Sequence, residues 1–502
     1  MKVVDSREMA SIDREAQERF YIPEAVLMED AALGAHRLLR ERVWGDRVPA
    51  GELVYLAGKG NNGGDALVMA RQCRLEGKRE ILVVLGAGVP SEGTLAAVHL
   101  KVLEAMGVAI LDYQKQSSKT GRRLGQADWL IDGLLGTGLK GEARGTVVDL
   151  IRAVNQSRVR TAAVDVPSGI GDAFRKGYPA VCADVTLTIG LPKLSLYLPA
   201  ARAHCGEIHV VEGIFPRELL VSEAIKAELL RDEELGELLP KIPADTYKNA
   251  RGHLAVFAGS EGTTGAAWLC AHAAARSRTG LVTVQMQQEL YPACVPAYSS
   301  VMIRPWDADG KPSALSLDRF TGLLVGPGWG LGERREAWLE TLLEAGLPGL
   351  LDADGITLLS RIIKRHRIEL GGRWVLTPHP GEFARLIGEE TATVLADPLP
   401  LLRRTSAALG ATIVLKGHCT FVCAPDGRLW ILDGMNPAMA TGGSGDVLSG
   451  IIAGQLAGGV EAPAAARLGV LLHGMAGRLT FASKGYFTAD ELLPAIGRLT
   501  GG

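Results

Sequence analysis

Short runs of aliphatic and β-branched residues alternate along the chain with helix-length segments of mixed polarity. After a charged opening that predicts a helix, seven such runs lie between residues 52 and 213. Near-continuous apolar runs separated by helices are typical of the buried strands of a parallel sheet. The pattern predicts an α/β domain with a Rossmann-like parallel sheet, whose strands are ELVYLAG, ILVVLG, GVAIL, ADWLIDG, TAAVDV, ADVTLTIG and EIHVVEG.

The character of the sequence changes between residues 217 and 241. This segment is charged, helix-prone and without strand signals, and the turn-forming IPADTYKNARG follows it. A second series of apolar runs then begins, so we place a domain boundary here. We predict two tandem α/β domains over residues 1–218 and 228–502. The strands of the second are HLAVFAGS, LVTVQM, GLLVGPG, GLLDADG, WVLTP, TIVLKG, TFVCAP and LWILDG.

Composition limits the classes of function. Of the 502 residues, 47% are hydrophobic and 22% charged, as in soluble globular proteins. The 54 Lys and Arg nearly balance the 56 Asp and Glu, so a net charge of −2 offers no electrostatic surface for nucleic acid or acidic membranes. The seven cysteines form no Cys-x-x-Cys, which indicates neither a disulfide framework nor a zinc site. With a charge-dense N-terminus and no apolar run of membrane-spanning length, we expect a cytoplasmic protein with a small ligand.

The loop GKGNNGGDALVMARQC (58–73) follows a predicted strand and opens a helix. Its glycines let the backbone approach a ligand, and the N–H groups at a helix start attract phosphate. It lacks the Gly-Lys-Ser/Thr of a Walker loop and is not Gly-x-Gly-x-x-Gly. A glycine pair alone is equally compatible with a tight strand-to-helix turn. Asn61, Asn62 and Asp65 are polar groups that such a turn does not need.

Two further loops follow neighbouring strands of the same domain. DGLLGTGLKG (132–141) supplies Asp132, Thr137 and Lys140, and AAVDVPSGI (162–170) places Asp165 at a strand end. A single aspartate in such a position is more often a helix cap or a solvated loop residue. Ligands of open α/β sheets collect at the carboxyl edge, so three loops meeting there favour a binding site.

These loops, with the opening segment MKVVDSREMASIDREAQERFYIPEAVLMEDAA, resemble the N-terminal domain of the bifunctional NAD(P)H-hydrate repair enzymes. The resemblance implies an epimerase, in which we expect Asp165 to be the acid–base group and Lys140, on the neighbouring loop, to be an electrostatic helper. It implies potassium ligands at Asn62, Asp132 and Ser168. Ala66 stands where the family usually has glycine and is expected to crowd the ligand. The implied contacts of the hydrated dinucleotide are Asn61, Asn62, Gly63, Gly64, Asp65, Gly136, Thr137, Gly138, Leu139, Lys140, Gly141 and Glu142.

The most informative stretch of the second domain is NPAMATGGSGDVLSGIIAGQLAGG (436–459). Its glycines lead into an apolar helix whose first N–H groups form an anion hole, and Asp446 beside them can accept a proton from a hydroxyl. For an isolated Gly-x-Gly-Asp, an idle aspartate in a first helical turn is the simpler interpretation. Four other strand-end loops add to the site, and their polar residues are Asp352, Asp354, His379, Glu382 and Lys416. Asp352 and Asp354 alone suggest helix caps.

From about residue 228 the chain resembles the ribokinase-like superfamily, and within it the NAD(P)H-hydrate dehydratase domain. TPHPGEFARL and NPAMATGGSGD carry this resemblance. It implies that Asp446 is the catalytic base, that ADP or ATP is the phosphoryl donor, and that Mg²⁺ is required. Implied substrate contacts are Ala266, Gly328 and His379. Implied nucleotide contacts are Lys416, Gly417, His418, Cys419, Thr420 and Gly445.

The resemblance implies repair of hydrated NADH and NADPH, with R and S epimers interconverted by the first domain and the S epimer dehydrated by the second. Two alternatives remain. One is a fused small-molecule kinase that uses Asp446 but stops at a phosphorylated product. The other makes the first domain a dinucleotide-sensing or partner-binding module without turnover. A homo-oligomer is expected, and neither the donor nor the NADH or NADPH preference follows from the sequence.

Overall fold

The computed structural model describes residues 1–307, 310 and 316–501. The chain divides into two compact units, Lys2–Ala227 and Glu228–Gly502, with Met1 grouped with the second. The first unit thus continues beyond the predicted end at residue 218. Each unit is built on its own sheet covered by helices, which confirms the predicted α/β fold with two tandem domains.

The sheet of the first unit has the strand order β4-β3-β2-β5-β6-β7-β8, and every strand pair in it is parallel. Its strands are β2 (Leu53–Ala57), β3 (Ile81–Leu85), β4 (Ala109–Asp112), β5 (Trp129–Gly133), β6 (Thr161–Val164), β7 (Val185–Ile189) and β8 (Glu207–Val211), after the two-residue β1 (Lys2–Val3). Its helices are α1 (Ser6–Glu18), α2 (Glu24–Leu38), α3 (Asn61–Leu75), α4 (Leu95–Ala105), α5 (Tyr113–Leu124), α6 (Thr146–Ser157) and α7 (Arg217–Leu220).

The central strand β2 shows why this sequence forms a doubly covered sheet. Leu53 and Tyr55 belong to the apolar cluster on one face, whereas Val54 and Leu56 belong to the cluster on the other. All four are fully buried. Since successive side chains of a strand point to opposite faces, a strand covered on both sides must be apolar throughout.

The second unit has the strand order β9-β18-β17-β16-β15-β14-β13-β10-β11-β12. The strands from β10 to β16 pair in parallel, while β17 is antiparallel to both its neighbours. The strands are β9 (Ala227–Leu229), β10 (His253–Phe257), β11 (Leu281–Gln287), β12 (Met302–Trp306), β13 (Gly322–Val325), β14 (Gly349–Leu351), β15 (Trp374–Leu376), β16 (Thr412–Leu415), β17 (Cys419–Cys423) and β18 (Leu429–Asp433). The helices are α8 (Leu235–Leu238), α9 (Thr264–Arg276), α10 (Tyr291–Cys294), α11 (Arg335–Glu344), α12 (Asp354–Ile362), α13 (Pro380–Ile387), α14 (Thr391–Ala396), α15 (Pro398–Leu409), α16 (Ser444–Ala457), α17 (Ala462–Lys484) and α18 (Leu492–Thr500).

Two strands of this unit were not predicted. Segment 217–241 was expected to be helical, but its helices are short: α7 and α8 have one turn each, and β9 and a 3-10 helix at Asp232–Glu234 lie between them. The expectation was wrong because helix-prone composition is a weak signal that tertiary pairing overrides. The strand β12 contains Pro305 and lies at the end of the strand order. Proline has no N–H to donate to a neighbouring strand, so its presence argues against a strand in the sequence. An edge strand can contain proline, because one of its sides has no neighbour.

Helix α16 is buried almost all round, as its apolar sequence predicts. At Gly450, a Cβ atom would lie 2.2 Å from the carbonyl oxygen of Cys270 in α9. Only glycine lets the two helices approach so closely, and this contact packs the middle of α16 directly against α9. In the part of the chain that the structure describes, no helix has both the length and the apolar character needed to cross a membrane.

Candidate functional sites

Asp165 follows β6 and adopts a left-handed backbone conformation with φ of +63°. Its Oδ1 accepts hydrogen bonds from the ammonium of Lys193 and, at 3.0 Å, from the backbone N–H of Ile189. Lys193 is 1% exposed and also donates to the carbonyl oxygen of Ile189 at 2.6 Å. The carboxylate is therefore fixed by a buried counter-ion from the loop after β7.

Two more carboxyl groups lie near this ion pair. Asp13, on α1, is half-buried, and burial together with the charge of Asp165 raises the pKa of its carboxyl to about 6. Asp65, on α3, is buried, and burial followed by the charges of Asp165 and Asp13 raises the pKa of its carboxyl well above the usual value. The positive charge of Lys193 lowers the pKa of both carboxyls, but burial and the neighbouring negative charges outweigh it.

The three predicted potassium ligands lie together. Ser168 Oγ donates to Asp132 Oδ1 at 2.6 Å, and the N–H of Ser168 donates to Asp132 Oδ2 at 2.8 Å. Asn62 donates from Nδ2 to the carbonyl oxygen of Leu135 at 2.8 Å, while its Oδ1 is buried without a partner among the described residues. Burial raises the pKa of Asp132 to about 6, although the bonds from Ser168 lower it in part. The set combines an unsatisfied carbonyl oxygen with a buried carboxylate and a hydroxyl, which are oxygen donors suited to a hard cation.

Helix α3 begins at Asn61 after Gly60. The first hydrogen bond at the start of this helix runs from the N–H of Gly64 to the carbonyl of Gly60, at 3.1 Å. A Cβ on Gly63 would lie 2.1 Å from the carbonyl oxygen of Gly58, so this glycine is required by the turn itself. The expected crowding of the ligand by Ala66 was wrong. That residue is fully buried against Gly133 of β5.

The loop 136–142 lies beside Asn62 at one end. A Cβ on Gly136 would lie 3.1 Å from Cβ of Asn62. Lys140 is exposed, and the lysine that contacts Asp165 is Lys193, so Lys140 was the wrong candidate for its electrostatic helper. The loop's remaining predicted contacts are half-buried or exposed, namely Thr137, Gly138, Leu139, Gly141 and Glu142.

In the second unit, α16 begins at Ser444 after Gly443, whose φ is +88°. The N–H of Ser444 donates to the carbonyl of Thr441 at 3.3 Å, and that of Val447 to the carbonyl of Gly443 at 3.1 Å. Among the described residues, the N–H groups of Gly445 and Asp446 have no protein acceptor. These two donors, at the positive end of a buried helix, are suited to bind an anion.

The half-buried Lys416 and the buried Asp352 form an ion pair beside these donors. Lys416 Nζ lies 2.8 Å from Asp352 Oδ1, and Ser449 Oγ donates to Asp352 Oδ2 at 2.6 Å. A Cβ on Gly445 would lie 3.3 Å from Nζ of Lys416, which places the ammonium next to the anion hole. Burial and then the charges of Asp352 and Glu382 raise the pKa of Asp446 to about 7, against the opposing effect of Lys416.

The other predicted contacts of the second unit are held by neighbouring loops. His379 caps α13, because its Nδ1 accepts from the N–H groups of Gly381 and Glu382 at 3.0 and 3.3 Å. Thr263 Oγ1 donates to the carbonyl of Gly328 at 2.8 Å and joins that loop to the start of α9, where Ala266 lies. The loop 416–420 leads into β17. Cys419 is buried there, Thr420 is half-buried, and Gly417 and His418 are exposed.

Sequence reasoning missed several residues of these sites. Lys193 is the single cation in the apolar stretch GLPKLSLYLP after a strand, and Asp13 lies beside the apolar stripe of Met9, Ile12 and Ala16 on α1. Both are charged residues in an apolar stretch of sequence, and this pattern could have identified them as site residues. Asp352 was predicted on a strand-end loop of the site, but its ion pair with Lys416 was not predicted. His473 is half-buried with Nε2 3.1 Å from Ser444 Oγ, and desolvation lowers its pKa to about 4, so it supports the start of α16 as a neutral group.

Each of the two α/β units has charged groups and free helix N–H groups beyond the ends of its strands. These features define a two-domain enzyme that acts on phosphorylated small molecules. Residues 24–195 match the family described as YjeF-related protein N-terminus, and residues 254–498 match NAD(P)H-hydrate dehydratase. A bifunctional NAD(P)H-hydrate repair enzyme from Moorella thermoacetica is 34% identical over 95% of this chain and 92% of its own length. The corresponding Escherichia coli enzyme is 31% identical over 87% and 83%.

The chain belongs to the family of bifunctional NAD(P)H-hydrate repair enzymes. This membership confirms the predicted family and the predicted enzyme class, an epimerase joined to an ADP/ATP-dependent dehydratase. Among solved structures, the ADP/ATP-dependent NAD(P)H-hydrate dehydratase from Bacillus subtilis, co-crystallised with ATP and Mg²⁺, is 28% identical with a TM-score of 0.48. It covers 54% of this chain, and the match extends over 96% of that structure.

Proposed function

We propose that the first unit epimerises the hydrated dinucleotide at Asp165 and that the second dehydrates the S epimer at Asp446. Hydration of an enamine places the hydroxyl on the carbon bonded to nitrogen. The carbon whose configuration is inverted therefore carries both the hydroxyl and the ring nitrogen. A positioned carboxylate can accept a proton there. The observation that supports this role is the Asp165–Lys193 ion pair, because it supplies an oriented carboxylate at the carboxyl edge of the sheet.

Potassium would be held by Asn62, Asp132 and Ser168. The buried Oδ1 of Asn62 has no partner among the described residues, and a buried acceptor left unsatisfied costs free energy that a cation removes. Bound there, the cation supplies positive charge that offsets the phosphates of the dinucleotide. The direct bond between Ser168 and Asp132 holds both oxygens in place for it.

In the second unit, the N–H groups of Gly445 and Asp446 would bind the transferring phosphoryl group. Asp446 removes the proton from the substrate hydroxyl. At the same time the hydroxyl oxygen bonds to phosphorus, and the bond from phosphorus to the nucleotide breaks. Phosphate then leaves far more readily than hydroxide, as a proton is lost from the neighbouring carbon and the double bond is restored. Lys416 stabilises charge on the phosphates from its place beside Gly445.

Magnesium fits this site as a partner of the nucleotide. The described residues contain no group of three or more His, Cys, Asp and Glu side chains arranged to hold a metal. Mg²⁺ is commonly held by one or two carboxylates with substrate phosphates, and it neutralises phosphate charge. Asp352 and Glu382 both act electrostatically on Lys416 and Asp446, and these two are the carboxylates that would share such an ion.

The experiment is to supply purified R and S epimers separately with ADP or ATP and Mg²⁺, and to follow the return of dihydronicotinamide absorbance. We expect the S epimer to react directly and the R epimer to react only when the first unit is active. A phosphorylated product that accumulates without regained absorbance would instead identify a kinase. An R epimer that remains unchanged would reduce the first unit to a binding module.

A further inference from the structure

A cavity of about 120 Å³ lies at the amino edge of the second unit's sheet, on the side away from the anion hole of α16. Two arginines line it, Arg251 just before β10 and Arg278 just before the neighbouring parallel strand β11. Lys241, from the segment that leads into β10, adds a third cation. No described Asp or Glu lines the cavity. Its wall therefore carries three positive charges and no negative one.

The end of α16, which also lines the cavity, does not account for these cations. Basic side chains often bind the unpaired carbonyls of the last turn of a helix. Here local donors already satisfy all four carbonyls. The pairs are Gly454 with the N–H of Gly458, Gln455 with the N–H of Val460, Leu456 with the N–H of Gly459, and Ala457 with Oγ1 of Thr321. The helix is thus capped without the help of the cations.

Only one of the three cations has a structural partner. Arg278 donates from Nε to the carbonyl of Thr500 at 2.6 Å and from Nη1 to the carbonyl of Pro240 at 2.8 Å. The side chains of Lys241 and Arg251 form no hydrogen bond or ion pair with another described residue, and Nε of Arg251 is buried. Like charges gathered without counter-charges repel one another, and a buried donor without an acceptor costs free energy. A bound anion removes both costs.

A hydroxyl group without a partner lies beside the same wall. Thr279 is 5% exposed, and its Oγ1 has no hydrogen-bond partner in the part of the chain that the structure describes. A Cβ on Gly454, which lines the cavity, would lie 2.3 Å from this oxygen. Buried hydroxyls are normally paired, so this one indicates a polar ligand.

From these observations we infer that the cavity is a binding site for a phosphate-sized oxyanion, held by Lys241, Arg251 and Thr279. Guanidinium and ammonium groups are the usual side-chain donors to phosphate. The volume suits a free phosphate ion but not a nucleotide, since pockets for larger ligands usually exceed about 300 Å³. The proposed dehydration releases this ion, so phosphate is present during turnover. The site itself is inferred without reference to the roles of Asp165 and Asp446.

The new site and the catalytic anion hole lie at opposite ends of one helix. Gly445 and Asp446 belong to the first turn of α16, whereas Gly454 and Gly458 lie at its end. The helix has 14 residues, which corresponds to about 20 Å. One phosphate ion cannot contact both ends, so binding at each end can be measured separately.

The test is a calorimetric titration of the full-length protein with inorganic phosphate. A non-hydrolysable ATP analogue and Mg²⁺ are present at saturation, so that the catalytic anion hole is occupied. We expect one phosphate site per chain to remain. Arg251→Gln and Lys241→Gln should each raise its Kd about tenfold or more, because a hydrogen bond from a charged group is lost. Both variants should keep nucleotide-dependent dehydration, since neither residue lies at the catalytic edge.

The matched control is Arg276→Gln. It removes the same charge from the exposed last turn of α9, outside the cavity wall, and should leave the Kd for phosphate unchanged. Lys241 is also exposed, so its variant keeps the test valid if Arg251→Gln fails to fold. Sulfate, a tetrahedral oxyanion of similar size, should displace phosphate from the site, whereas ADP should not.

Three results would overturn the inference. The first is the absence of any phosphate site once the nucleotide analogue is bound. The second is a Kd for phosphate in folded Arg251→Gln and Lys241→Gln that equals that of Arg276→Gln. The third is displacement of phosphate by ADP or acetate more readily than by sulfate, which would assign the cavity to another class of ligand. Absence of dehydration in the wild type would count against the proposed function but not against this site.

Discussion

Lys193 is buried with its ammonium against Oδ1 of Asp165, so the carboxylate at the end of β6 has its counter-ion inside the first domain. A charge pair of this kind is oriented by the fold and is weakly screened by salt. The lysine also donates to the carbonyl of Ile189. The position of the carboxylate is thus determined by two neighbouring strand-end loops.

Asp165→Asn is expected to lower epimerisation of the R epimer by roughly two orders of magnitude or more. Asparagine tolerates the left-handed backbone at this position, so the fold should persist. Dehydration of the S epimer should be unchanged, and it serves as the internal control for each preparation. Normal consumption of the R epimer by this variant would show that the site is misassigned.

Lys193→Met should lower the epimerase kcat by about tenfold or more, because the ammonium that orients and neutralises Asp165 is lost. The matched control is Lys140→Met, which removes an exposed lysine from the neighbouring loop. We expect the control to affect KM more than kcat, since an exposed cation near a phosphorylated ligand contributes to binding. Equal effects of the two substitutions on kcat would argue against a special role for Lys193.

Ser168→Ala should raise the potassium concentration needed for half-maximal epimerisation by about tenfold. The substitution removes one oxygen donor and the bond that orients Asp132. The measurement is a potassium titration at constant ionic strength, with choline as the replacement cation. Ser157→Ala, on α6, is the control, because this hydroxyl bonds only locally, to the carbonyl of Val154 and the N–H of Val159. Epimerisation that is independent of potassium in the wild type would exclude the cation site.

Dehydration should depend on the ionisation of Asp446. Since the base must be unprotonated and burial raises its pKa to about 7, kcat/KM for the S epimer should rise with pH and level off above about 7. Asp446→Asn should lower dehydration by roughly two to four orders of magnitude with nucleotide binding retained. Binding by calorimetry and turnover at saturating nucleotide and Mg²⁺ separate the two effects. Loss of nucleotide binding would mean instead that Asp446 shapes the anion hole.

The sequence predicts the loops of both sites better than the contacts within them. Glycines and aspartates at strand ends identify the loops 58–73, 132–141 and 436–446, because a parallel sheet brings such loops to one edge. Lys193 lies 28 positions after Asp165, and no local pattern links them. Their contact depends on the adjacency of β6 and β7, which only the tertiary fold establishes.

The strands, too, are predicted well where local sequence determines them and poorly where tertiary pairing does. Those buried on both faces, such as β2 and β3, coincide closely with apolar runs. The strands β9 and β12 were missed because one is short and lies in a charged segment and the other contains a proline. In both cases pairing with a neighbour, rather than local composition, determines the structure.

The unpaired Oδ1 of Asn62 also has a thermodynamic consequence. A buried acceptor without a partner costs about 1–3 kcal/mol, and this cost is carried by the folded state only when the cation is absent. A cation bound only to the folded state, at a free concentration one hundred times its Kd, adds about 2.7 kcal/mol to the free energy of unfolding. Potassium would then act as a structural ligand as well as a reaction requirement. The melting temperature of the first domain would report its occupancy even when no dinucleotide is present.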